Sequence, residues 1–385
     1  MRVNETINIR RNSIAIAFVS GIILWSSIGF SQEKRFKLIG KVKGIDTGLV
    51  KVYSLLNDST RKSTWSSYIS KGGFTIQGKI AHPMRVFLVL NNSLYTEDFF
   101  IEPGIGHIYF DATTNESFYK SLNITGSITN DVFKNNYQKL VNPFYNSIDS
   151  CYIILDSLNK LYTEARPDNI YANLLNQIGI ANKKLDSVKK AFIIKHSSSY
   201  VSLWNLYNSI GFSENLEFVV ENFYYLDKQL QNSVAGQQLA HRIEVQKVFL
   251  NGKKFPEMKL VDSSKNESTI QINGKYTLID FWYSHCGPCI AQFPAIRNLY
   301  SKYKELGFDV ISISVDKLAD KKDWLGIIAK YNLNWKQYWD VDKQEAKKLI
   351  IDTYPTSFLL DSDGKIIKKN ILLEELEALL AKNLK

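Results

Sequence analysis

Three hydrophobic patterns follow one another along the chain. Between residues 33 and 126, apolar and polar positions alternate in short runs. These are Phe36-Lys-Leu-Ile-Gly-Lys-Val42, Gly48-Leu-Val-Lys-Val-Tyr53, Gly73-Phe-Thr-Ile-Gln-Gly78, Arg85-Val-Phe-Leu-Val-Leu90 and His107-Ile-Tyr-Phe-Asp111. A period of two belongs to half-buried strands, and turn residues at intervals of about ten predict a small antiparallel β-sandwich over 32–126. Its aromatic side chains are expected in a core rather than on a ligand platform. Over 127–250 the period lengthens to three and four residues, in the stretches 131–162, 167–196, 200–210, 214–226 and 230–249. That spacing predicts a helical linker domain.

From 251 to 385 strands and helices alternate. Thr277-Leu-Ile-Asp-Phe-Trp282 and Phe308-Asp-Val-Ile-Ser-Ile-Ser-Val315 read as buried strands, and helices are expected over 320–331, 344–351 and 372–382. Thr356-Ser-Phe-Leu-Leu360 and Lys365-Ile-Ile-Lys368 flank Asp361-Ser-Asp-Gly364, a hairpin turn signal. The fold class is therefore multidomain, a β-sandwich and a helical region followed by an α/β domain. No internal repeat or low-complexity segment interrupts it.

The N-terminus follows a different logic. Arg2, Arg10 and Arg11 precede the apolar stretch Ile14 to Trp25, then Ser26-Ser-Ile-Gly-Phe-Ser31 and the polar Gln32-Glu-Lys-Arg35. A positive start, a short apolar core and small residues describe a secretory signal peptide over 1–31, cut near Ser31-Gln32. An uncleaved anchor is the alternative, and the apolar core is short for a membrane span.

Charge adds little. The net charge is +10, but the lysines are spread over all three regions, without a basic run interleaved with aromatics. No nucleic acid partner is expected, and at most a mild attraction to anionic surfaces follows.

Chemistry enters with three cysteines, two of them in Cys286-Gly-Pro-Cys289 at the end of the first buried strand. A strand that stops there places Cys286 at a helix N-terminus, where unpaired N–H groups and the helix dipole favour the thiolate. Pro288 suits an early helical position, because the donor it lacks would be unpaired there anyway. A thiol one turn on, at Cys289, is close enough to close a disulfide and expel a mixed-disulfide partner. The spacing favours redox use over two other readings. A purely structural bridge usually closes a longer loop, and a zinc site wants four ligands where Cys151 is remote and His285 adjoins Cys286. No metal site is called. Asp280 lies within the apolar strand, where burial should raise its pKa and let it take the Cys289 proton. An exposed strand-edge Asp is the alternative. Pro294 falls inside the following helix and should kink it. Cys151 is expected to be buried as a small apolar residue.

Phe281-Trp-Tyr-Ser-His-Cys-Gly-Pro-Cys289, Pro294, and Tyr354-Pro-Thr-Ser-Phe-Leu-Leu-Asp361 followed by Asp363-Gly-Lys365 together resemble a thioredoxin-fold domain. The stretch from Asp316 to Pro355 leaves room for an extra helix and strand, which resembles the extracytoplasmic TlpA/ResA-like thiol-disulfide oxidoreductases. The resemblance implies that Cys286 attacks, that Cys289 resolves through a Cys286–Cys289 disulfide, and that Pro355 is a cis proline opposite it. It also implies a partner groove built from Trp282, Gly287, Pro288, Tyr354 and Pro355. Residues 32–126 resemble, more weakly, a β domain of unassigned function that precedes thioredoxin domains in some secreted bacterial proteins.

Three positions depart from that family. His285 stands where Trp is usual, and an imidazolium there would lower the Cys286 pKa and make the disulfide more oxidising. A solvent-facing histidine is the alternative. Gln292 replaces a glutamate that some members carry, and Tyr354 replaces a smaller residue before the proline. The expectation is a periplasmic protein-disulfide reductase that needs no cofactor. The resemblance implies disulfide-bearing envelope proteins as partners and a membrane electron donor; the oligomeric state is left open. A thiol peroxidase is the alternative, disfavoured because position 283 is Tyr where that chemistry wants Thr. An envelope binding protein with a secondary redox domain is another.

Overall fold

The computed structural model describes residues 33–54, 63–113, 119–120, 122–161, 168–212, 216–262 and 266–385. The expected signal peptide lies outside them. Among the described residues no helix is long and apolar enough to cross a membrane.

Ten strands open the chain: β1 (Lys34–Lys43), β2 (Thr47–Ser54), β3 (Trp65–Ser70), β4 (Gly73–Ile80), β5 (Met84–Leu90), β6 (Leu94–Thr96), β7 (Phe99–Ile101), β8 (Gly104–Asp111), β9 (Tyr119–Lys120) and β10 (Asn123–Thr125). All lie on one hydrogen-bonded path, β10-β8-β1-β4-β3-β2-β5-β6-β9, with β7 on β5. Pairing is mostly antiparallel; β1 and β8 run parallel. Alternate residues of β1, Phe36, Leu38 and Val42, are buried, as a period of two requires. They share one core with Val50, Val52 and Leu88 from the other half of the path. β3 was not expected, because Trp65-Ser-Ser-Tyr-Ile-Ser70 buries only Ile69 and carries no apolar alternation.

Helices follow: α1 (Ile128–Asp131), a π-helical turn over Val132–Gln138, α2 (Lys139–Leu161), α3 (Asp168–Lys195), α4 (Tyr200–Phe212), α5 (Leu216–Phe223), α6 (Lys228–Gln231) and α7 (Val234–Gln246). They divide between two cores. α2 and α3 pack against Phe100 of the sheet and Trp204 of α4. Cys151 is buried there as a free thiol, its Sγ 3.8 Å from Gln177 Oε1. α5 and α7, with Leu203, Leu206 and Ile210 of α4, pack against the C-terminal sheet instead.

That sheet comprises β11 (Leu260–Asp262), β12 (Glu267–Ser268), β13 (Tyr276–Trp282), β14 (Phe308–Ser314), β15 (Lys336–Trp339), β16 (Thr356–Asp361) and β17 (Ile366–Lys369), in the order β12-β11-β15-β14-β13-β16-β17. β13 is parallel to β14 and antiparallel to β16. It is the strand between both, covered on both faces, which is why its sequence is largely apolar rather than alternating, with Asp280 set into it. Ile279 and Phe281 face the core shared with α7. Leu278 and Trp282 face α8 (Gly287–Tyr303), α9 (Lys321–Tyr331) and α11 (Leu373–Asn383). α10 (Gln344–Lys348) is shorter than the expected 344–351, because Ile350 adopts a left-handed φ of 53° and ends the helical run.

Candidate active site

β13 ends at Trp282, and the turn Tyr283-Ser284-His285 delivers Cys286 to the start of α8. Cys286 is the N-cap, with φ −84° and ψ 93°, and its Sγ accepts from the Cys289 N–H at 3.2 Å. The thiol thus takes the place usually held by a capping hydroxyl or carboxylate, where orphan N–H groups favour negative charge on sulfur. Pro288 stands in the first turn, without a donor to lose. Cys286 and Cys289 are joined as a disulfide, with Cα atoms 5.3 Å apart. Both are buried, beneath the exposed Gly287 and Pro288.

The turn before Cys286 is pinned from below by Asp316, two residues past the end of β14. Its carboxylate accepts from Ser284 N (3.0 Å), Ser284 Oγ (2.7 Å) and Ser314 Oγ (2.6 Å). Cys286 N closes the turn on Tyr283 O at 3.0 Å. Asp316 is 2% exposed. The sequence reading missed it, although a carboxylate ending an apolar strand is the same signal that singled out Asp280.

Asp280 is 2% exposed, and burial pushes its carboxyl up from 3.8 to about 7, against the Ser312 hydroxyl, which favours the ionised form. The exposed-edge alternative is thereby excluded. The pleat sets Asp280 between Leu278 and Trp282 on the face that packs Cys289 and Phe293. Ser312 is its cross-strand neighbour and accepts from Trp335 Nε1 at 2.8 Å. A cavity of about 470 Å³ opens over Asp280, walled by Gln292 and Ile296 of α8 and by Tyr354, Pro355 and Leu373. Asp280 therefore shares its cavity with the proline loop.

The Tyr354–Pro355 bond is cis. Tyr354 meets Tyr283 edge-on at 5.6 Å, and its hydroxyl donates to Ile351 O at 2.7 Å. Lys343 Nζ stands over both rings, 5.6 Å from Tyr283 and 5.0 Å from Tyr354. Burial lowers the lysine's pKa. A half-buried cation beside two aromatic faces was not foreseen.

Two expectations change. Trp282, expected in the partner groove, is fully buried and packs edge-on against Phe293 at 5.0 Å, so it backs the disulfide rather than meeting a partner. Every residue of β13 from Thr277 to Trp282 is buried, which leaves Trp282 no route to the surface. His285 is exposed, and its Nε2 lies 3.3 Å from Asp323 Oδ2 at the start of α9. Its charge would face a carboxylate as well as the thiol. Among the described residues, His285, Asp320 and Asp323 bring three ligand-type atoms within 4.8 Å, but these are exposed or half-exposed side chains with no buried donor set behind them.

Comparisons with known proteins place this geometry. Residues 251–369 match the AhpC/TSA family, and residues 36–133 match a domain of unknown function, DUF4369. Thiol-disulfide oxidoreductase ResA of Bacillus cereus (strain ZK / E33L) is 31% identical over 137 residues, 34% of this chain and 77% of the relative. ResA of Bacillus thuringiensis subsp. konkukian (strain 97-27) is 32% identical over 121 residues, 31% of this chain and 68% of the relative. Among solved structures, the thioredoxin domain of a thiol-disulfide oxidoreductase from Bacteroides vulgatus is 26% identical with a TM-score of 0.32, covering 35% of this chain and 98% of that one. A thiol-disulfide oxidoreductase from Bacteroides fragilis NCTC 9343 is 29% identical with a TM-score of 0.31, covering 34% and 98%.

Proposed function

The chain belongs to the ResA-type thiol-disulfide oxidoreductases, and from that membership we propose that it reduces protein disulfides outside the cytosol through Cys286 and Cys289. The observation that carries the reading is the capping geometry: the Cys286 sulfur accepts the N–H of its own resolving cysteine at the start of α8. In the reduced state the Cys286 thiolate attacks one sulfur of a partner disulfide. A mixed disulfide forms, and the partner's other sulfur leaves as a thiolate and takes a proton. Asp280, whose carboxyl titrates near 7 on the strand face that packs Cys289, removes the Cys289 proton. Cys289 then attacks Cys286 Sγ, the reduced partner leaves, and the Cys286–Cys289 disulfide remains. Two electrons have passed to the partner, so a donor must restore the dithiol, and we propose a membrane donor, as the family resemblance implies.

Gly287, Pro288, Tyr354 and Pro355 form the partner groove in this reading, with Lys343 beside it. The Gly-Pro pair resembles reducing members, which favours reductase over oxidase. We read residues 1–31 as a secretory leader, which supports a periplasmic location. We divide the rest into domains at 32–126, 127–250 and 251–385, the first a sandwich made by one sheet curling over its own core. A peroxidase reading has Tyr283 against it.

The test is capture. With Cys289→Ala, partners should accumulate as mixed disulfides on Cys286, identifiable after non-reducing electrophoresis. Insulin reduction should vanish in Cys286→Ser; reduction that persists there would sink the reading.

A further inference from the structure

α7 lies outside the segment that matches the AhpC/TSA family, yet its side chains hold the loop that carries Tyr354 and Pro355. Arg242 Nη2 donates to both carboxylate oxygens of Asp352, at 2.7 and 2.6 Å. One turn on, Gln246 Nε2 donates to the backbone oxygen of Ile350 at 2.8 Å. Gln246 is 2% exposed, and the Arg242 side chain is 14% exposed. The guanidinium also stands over the Tyr207 ring of α4 at 5.6 Å, so it is braced from behind.

The helix offering these two side chains is itself firmly seated. Ser233 caps its start by accepting from Gly236 N at 3.1 Å. A Cβ at Gly236 would fall 2.1 Å from Leu230 O, so only glycine lets α7 lie this close to α6. Leu239, Ile243 and Phe249 then share a core with Ile351, Phe358 and Ile366 of the C-terminal domain. The loop, by contrast, has left regular structure. Ile350 sits at φ 53°, a region that a β-branched residue enters only when its surroundings hold it there. Gln246 is one of those holds.

We infer that Arg242 and Gln246 are positioning residues that set how the loop Asp352–Pro355 meets a partner polypeptide. One guanidinium nitrogen shared between both oxygens of the carboxylate, with the guanidinium held over the Tyr207 ring, restrains where Asp352 sits more tightly than a single charge contact does. Asp352 is 44% exposed, so the pair contributes geometry more than stability. The helical region thereby gains a role in partner recognition. This rests on the reading of Tyr354 and Pro355 as the docking surface.

The experiment uses the full chain, with insulin as the disulfide substrate and dithiothreitol as reductant, and measures KM and kcat separately. Arg242→Ala should raise KM on the order of fivefold to tenfold, the loss of a charged two-point hydrogen bond, with kcat within about twofold. The pH midpoint of Cys286 alkylation should stay in place, because α8 is untouched. Gln246→Ala should act in the same direction. The charge-exchanged pair Arg242→Asp with Asp352→Arg should regain most of the lost affinity. Should Arg242→Ala fail to fold, Arg242→Lys keeps the charge but loses the planar guanidinium held over Tyr207, and should still raise KM. Tyr354→Ala is the control for the premise. If Tyr354→Ala raises KM and Arg242→Lys does not, the loop docks partners but α7 does not position it, and the inference falls. If Tyr354→Ala leaves KM at the wild-type value, the docking reading itself falls and takes the inference with it.

Discussion

A carboxyl in the middle of an apolar strand is the residue whose behaviour can be followed most closely. Asp280 holds its proton up to about pH 7 in the folded protein and only to about 3.8 when unfolded. The folded state therefore binds the extra proton between those values, so this group's contribution favours folding below about pH 4, weakens as pH rises, and is fully adverse above about 7. Asp280→Asn should be more stable than the parent by on the order of 2–4 kcal/mol at pH 8 and indistinguishable from it at pH 4, read by urea unfolding at the two pH values. The same substitution should slow release of the mixed disulfide by roughly 10²–10⁴-fold and flatten its rise through pH 7. Unchanged release in stopped-flow assays would make Asp280 structural only. At His285 the neighbouring Asp323 alters the expectation. His285→Ala should move the potential by less than about 30 mV in glutathione equilibration, because the carboxylate 3.3 Å away opposes the imidazolium's field and solvent screens both. Asp280 was legible in the sequence because a lone acid interrupts an apolar run. Asp316 offered a similar signal just past an apolar strand and was passed over, whereas Ser312, a serine inside β14, carries no pattern until its partners are seen.

At the scale of elements, α8 was readable from Gly-Pro between two cysteines after a buried strand, and its cap is where that pattern put it. Alkylation of the reduced protein should label Cys286 before Cys289, with an apparent pKa within a unit or two of about 7. Equal labelling at pH 6, measured by mass spectrometry, would overturn the division of roles. The loop from Ile350 to Pro355 was less legible. Its helix was expected to run on to Ile351, since leucine and isoleucine continue the apolar spacing, but a left-handed Ile350 and the clamp from α7 take the chain elsewhere. Contacts between elements distant in sequence leave no local period to detect.

Across the whole molecule, three hydrophobic periods marked out three regions, yet they did not show which layers share a core. α5 and α7 cover one face of the C-terminal sheet, with the Phe249 ring 4.6 Å from that of Phe358 and tilted against it, and Phe255 packed between neighbouring rings. Removing part of that cover should be felt on the far side of the shared core. Ile243→Ala should lower stability by about 2–5 kcal/mol, and amides of β13 and β16 should exchange faster together with those of α7. Faster exchange confined to α7, measured by mass spectrometry, would show two independent cores.

A catalytic domain that borrows one of its two covering layers from the chain before it cannot be handled as a cassette. Transplanting residues 251–385 from a relative would bring a sheet face shaped for other neighbours and meet Leu239, Ile243 and Phe249 as strangers. Chimeras joined at residue 250 should therefore express poorly unless the facing residues of α7 travel with the graft. Those joined upstream of Ser233, which carry the helix along, should tolerate foreign N-terminal regions far better.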